Sequence, residues 1–123
     1  MDILEARRVI LDLLAEKLAL SQGKNLFADT LPPGIPEGIT VAITGIREWH
    51  PDCAVECEAE ISGFFESEPD LITYLEKLRD LLQVGGGDPF LSCRQNGKIC
   101  LAALAGDRMD RKTFTLPLVI AFV

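Results

Sequence analysis

Apolar and polar residues change places along this chain in two rhythms, and the switches between them mark its elements. Over residues 2–20 the apolar positions Ile3, Ala6, Ile10, Leu13, Leu14 and Leu18 recur at helical spacing. Glu5, Arg8, Asp12 and Glu16 lie mostly off that stripe, so the segment predicts an amphipathic helix. Asp2 and Glu5 suit the positive end of its dipole, and Gly23 is the expected stop. Leu31 to Gly38 holds Pro32, Pro33 and Pro36, which cannot continue a helix, and reads as an ordered surface loop. A strand follows at residues 39–46. From Cys53 to Phe65 the rhythm becomes two: Cys53, Val55, Cys57, Ala59, Ile61 and Phe65 alternate with Glu56, Glu58, Glu60 and Ser62. That places one set on a buried face and the glutamates on the other.

Ser67 to Asp70 carries a capping residue, a carboxylate three positions on and a proline in the first turn, opening a second helix. Leu71, Leu75, Leu78 and Leu82 are its stripe, and Gly85 to Gly87 end it. Residues 90–95 and 98–105 are expected to form a hairpin across Asn96-Gly97, a dipeptide suited to a type I′ turn. A polar turn over 106–112 leads to a last strand, 113–123. Pro117 removes a ladder donor and puts that strand at an edge or in a bulge. Leu118 to Val123 is apolar on both faces, as in a strand buried on both sides or completed by another subunit. The expected order is α-β-β-α-β-β-β: an α+β fold with a mostly antiparallel sheet and two helices packed on one face.

The length, 123 residues, fits a single domain spanning 1–123, with 48% of residues apolar. A net charge of −7 disfavours nucleic-acid binding, and Arg108, Arg111 and Lys112 read as a solvated turn rather than a basic patch. The longest apolar run, Leu116 to Val123, falls well short of the roughly 20 residues of a membrane helix. Asp2, Glu5, Asp12 and Glu16 break any secretory signal. The expected compartment is therefore the cytoplasm, with reduced cysteines.

Catalytic chemistry is thin. His50 is the one histidine, within Glu48 to Asp52, and a nucleophile pair with Cys53 or Cys57 is the enzymatic alternative. The plainer reading is a loop histidine beside core cysteines. Cys53 and Cys57 stand about 13 Å apart on a strand, too far to share a metal. In the expected hairpin Cys93 falls opposite Cys100, where a disulfide would be strained, so reduced thiols are preferred. Gly85 to Asp88 follow a helix and lead into a strand, the reverse of a phosphate loop. Glu56, Glu58 and Glu60 project in parallel rather than converging on a cation; they form a solvated face or an electronegative surface with a partner or channel role. No metal and no cofactor are expected. Arg47 and Trp49, placed in a loop between strands, are either a partner contact or, for Trp49, a ring folded over the core.

The element order as a whole resembles the bacteriophage minor capsid and tail-terminator family. The likeness lies in helix 2–20, in Leu26 to Pro33, and in a short strand ending near Gly45. The long alternating strand leading into helix 69–82 extends it, as does the turn Asp107 to Asp110 before Thr113 to Leu116. The resemblance implies a structural protein without catalytic activity or cofactor. It also implies a homo-oligomer, hexameric in several members, with phage tail-tube or head–tail connector proteins as partners. The implied location is a bacterial host cytoplasm and the virion. On that view Leu118, Ile120 and Phe122 supply an oligomer surface, and Glu56, Glu58 and Glu60 an acidic lining.

Overall fold

The computed structural model describes residues 2–49, 54–83, 90–104 and 111–123. Among these lie α1 (Ile3–Lys17), β1 (Leu26–Ala28), β2 (Gly38–Trp49), β3 (Val55–Phe65), α2 (Glu68–Gln83), β4 (Ser92–Gln95), β5 (Cys100–Leu104) and β6 (Arg111–Phe122). The strands form one mixed sheet in the order β1-β2-β3-β6, with β4 and β5 both on the outer edge of β6. Every pairing is antiparallel except β1 with β2. Both helices lie on one face, and a single core joins Ala6, Ile10 and Leu14 of α1 and Leu71 and Leu78 of α2 to the sheet. The α+β layering expected from the sequence is the one observed.

Asp2 caps α1, its Oδ1 accepting from the Glu5 amide at 2.8 Å. The helix stops three residues short of the expected end. Leu20 N–H bonds back to the Ala15 carbonyl at 3.2 Å across Ala19, which takes a φ of 54°. This is the Schellman closure that a glycine usually provides; Gly23, the expected stop, instead serves a later turn at φ 87°. Leu11 rather than Leu13 completes the buried stripe, and Leu13 is 37% exposed. In α2, Leu71 and Leu78 are buried and Leu75 is partly so, while the Leu82 side chain lies outside the described residues. Tyr74 stacks on Phe65 at 5.1 Å between ring centres, fixing α2 to β3.

Three features differ from expectation. The first is β1, which lies parallel to β2 and is held by the Ile39 amide on the Asn25 carbonyl and the Asp29 amide on the Val41 carbonyl, both at 2.9 Å. Parallel neighbours ordinarily need a crossover of about a dozen residues or more. Here the proline loop suffices because it climbs back only the length of a three-residue strand.

The second is the absence of the Asn96-Gly97 hairpin. The chain runs straight on, and β4 and β5 pair end to end with β6, Gln95 opposite Leu118 and Cys100 opposite Thr115. Five residues advance on that side against three on β6, and the two in excess leave the ladder as a kink, with Gly97 at φ 95°. A local hairpin would have folded β4 back on β5 and left Leu118 to Ala121 of β6 without a partner on that edge. The non-local pairing covers it instead.

The third concerns Pro117. Its carbonyl accepts from the Asn96 amide at 2.9 Å. Because a strand residue's nitrogen and oxygen point to the same neighbour, the hydrogen-less nitrogen also faces the kink. The missing donor thus falls at the kink, where the chain leaves the ladder after Asn96. The strand is interior, and the irregularity that the proline requires is carried by its neighbour.

Candidate functional site

The side of the sheet away from the helices gathers the charged residues singled out by the sequence. From Val55 to Phe65, buried and half-buried residues alternate without a break, so Glu56, Glu58 and Glu60 share the helix-free face. Cys53, the start of the expected strand, lies outside the described residues, as do His50, Gly85 to Asp88, Arg108 and the turn Asp107 to Asp110.

Arg47 and Trp49 are not in a loop. Pairing with β3 continues to Trp49 opposite Val55, so both belong to β2. Two register shifts, between Ile43 and Gly45 and between Ile46 and Glu48, bend the strand and re-aim Arg47 across the glutamates. Its Nε lies 2.9 Å from Glu58 Oε1 and its Nη1 lies 3.5 Å from Glu56 Oε1, while Nη2 donates to Asn96 Oδ1 at 2.9 Å. Arg94 reaches Glu56 from the other side at 3.5 Å. The hydrogen bond to Glu58, foremost, holds the Arg47 guanidinium more firmly protonated than usual. The acidic stripe is therefore strapped by two arginines at Glu56 and Glu58. Val119, in register between Glu58 and Arg94 on this face, is 1% exposed.

Leu118, Ile120 and Phe122 lie in the core at 0–1% exposure, and β6 has neighbours on both edges. In the folded chain these side chains fill the space beneath the helices, and β6 offers no edge to a neighbour. The two-sided apolar character of β6 is met within the chain, by the core on one face and by the charged strap over Val119 on the other.

The open edges of the sheet are elsewhere. Among the described residues nothing but β3 pairs with β2 beyond Val41, and nothing pairs with the outer side of β4 and β5. Exposed apolar residues gather toward these margins. Trp49 (65% exposed) and Leu4 (66%) border a hollow of about 400 Å³ with Ile3, Val55 and Phe122, and Leu101 stands out from β5 at 59%.

Cys57 is fully buried, and burial pushes both its thiol and that of Cys93 up. Cys93 lies opposite Ile120 and Cys100 opposite Thr115, so the cross-strand pair expected from a hairpin does not exist. Among the described residues no group of three or more His, Cys, Asp or Glu side chains could hold a metal ion, and no helix is long and apolar enough to cross a membrane. No protein-family profile and no curated protein sequence matches the chain.

Proposed function

We propose that this chain is a non-enzymatic structural protein that works by assembly, in the manner of the phage minor capsid and tail-terminator proteins that its element order resembles. The observation that carries this reading is a single sheet with two unlike open margins, β2 past Val41 on one side and β4 with β5 on the other. Head-to-tail contacts that close into a ring need two such different surfaces on each subunit. The partners are then further copies of the chain, in a sixfold ring on the resemblance, together with tail-tube or head–tail connector proteins of a virion assembled in a bacterial cytoplasm. The raised thiols of Cys57 and Cys93 also favour a structural role, since a cysteine nucleophile requires a lowered pKa.

Light scattering on the purified chain, with negative-stain images of the same sample, tests the proposal. Closed rings or another defined oligomer are expected. A strict monomer at high protein concentration overturns it.

A further inference from the structure

The two margins of the sheet differ in how they meet solvent. Exposed strand edges are normally blunted by bulges, charges or proline, because a bare edge recruits another strand. The β2 margin has two register shifts and carries Arg47 and Glu48. The β4 margin carries Arg94 and Gln95. β5 has none of these devices: Cys100 to Leu104 reads Cys-Leu-Ala-Ala-Leu, without charge, proline or bulge, and Cys100, Leu101, Ala102 and Ala103 are all exposed.

The geometry points to one occupant for this edge: the β5 strand of a second copy, antiparallel about a two-fold axis through Ala102. The Pro117 carbonyl faces the β4–β5 side, so by alternation the polar backbone groups of Thr115, Thr113 and Arg111 face it too. Their partners Cys100, Ala102 and Leu104 spend their amides and carbonyls on β6, leaving those of Leu101 and Ala103 directed outward. With Ala102 opposite its own copy, Leu101 of one chain meets Ala103 of the other, and these two exchange both hydrogen bonds. A large side chain then lies beside a small one on each side of the axis. The strand is neutral, so chains of charge −7 meet without like charges at the contact. A pair of five-residue strands covers less than the ~1,200 Å² of a stable interface, so the contact is concentration-dependent. It is closed and two-fold, so it takes up the β5 part of this margin and leaves β4 and β2 for any head-to-tail contact in a ring; it rests on the assembly reading above.

Ala102 opposite its copy is a non-hydrogen-bonded pair, with Cα atoms about 4.5 Å apart, inside the range of a disulfide. Cys100 and its own copy are four positions out of register and do not meet. Mild oxidation of Ala102→Cys in a Cys100→Ser background is therefore expected to give a covalent dimer that Cys100→Ser alone does not form. Ala102→Lys sets two like charges on the axis. With its circular dichroism unchanged, it is expected to weaken the association seen by sedimentation equilibrium by several-fold. An oligomer that Ala102→Lys leaves intact and Ala102→Cys does not cross-link overturns the β5 pairing while the assembly reading stands. A monomer at every concentration overturns both.

Discussion

Ala19 and Glu37 each show a single residue held against its own preference. Ala19 closes α1 with a φ of 54°, a left-handed conformation that costs a non-glycine residue about 1–2 kcal/mol, and its side chain is exposed. Replacement by glycine removes that strain at the expense of unfolded-state entropy. Ala19→Gly is therefore expected to raise stability by about 0.5–1 kcal/mol in urea unfolding. Glu37 borders a small hollow with Asp70 and Tyr74, and its carboxyl is pushed up by burial first and then by the charges of Asp70 and Glu66. A raised folded-state pKa means that the native chain holds this proton more tightly than the unfolded one. Stability from this group is then fully present below the ordinary glutamate value of 4.5 and falls as pH climbs through the raised value. Glu37→Gln is expected to melt higher than the wild type at pH 7, with the difference closing below pH 4.5. A gap that persists in acid would assign the effect to something other than this ionisation.

Among the elements, β3 was the easiest to read and conceals one non-obvious requirement. Gly63 sits where the Phe114 ring of β6 lies over the backbone, and a Cβ there would meet Phe114 Cε1 at 2.2 Å. Gly63→Ala must displace a fully buried ring, and a loss of about 1–3 kcal/mol in denaturant unfolding is expected. A neutral result would mean that Phe114 can move aside. The alternation from Val55 to Phe65 and most of both helix stripes, Leu13 excepted and Leu82 outside the described residues, were legible because periodicity is local to a segment. β1 was not, since three residues carry no period. The expectation of a hairpin at Asn96-Gly97 was wrong, because the turn chemistry of a dipeptide is local and the pairing of β4 and β5 with β6 is not. The dipeptide permits a tight turn, and the demand of β6 for a partner along its second edge outweighed it. The apolar run of β6 fits either a strand completed by another subunit, with Leu118, Ile120 and Phe122 at an oligomer surface, or a strand buried on both faces, and the fold takes the second form. What the spacing could not convey was that Arg47 and Glu58, distant in sequence, do the covering on one of those faces.

For the molecule as a whole, charge and edges act in opposite directions. A net charge of −7 makes every approach between copies repulsive at long range, while the neutral β5 edge makes contact itself cheap. The Debye length shrinks from about 30 Å at 0.01 M salt to about 10 Å at 0.1 M, so screening should favour self-association. Sedimentation at a fixed protein concentration is expected to show more oligomer as sodium chloride rises over that range. The opposite trend would mean that ion pairs across the contact, rather than apolar strand edges, hold the copies together. The glutamate face was legible from the sequence as a stripe but not as one bridged by Arg47 and Arg94 at Glu56 and Glu58. The bulges that swing Arg47 over it arise from pairing irregularities that no single strand encodes.

The kink opposite Pro117 carries a consequence for the engineering of the chain. In a hairpin, adding a residue to the turn shifts one strand against its partner and exchanges inside for outside. Here Gly97 and Lys98 stand between two separately registered pieces, each anchored to β6 by its own ladder. Length can change at this joint while the strands on either side keep their places. A foreign peptide spliced in between Gly97 and Lys98 would leave Asn96 on Arg47 and Ile99 against the core beneath.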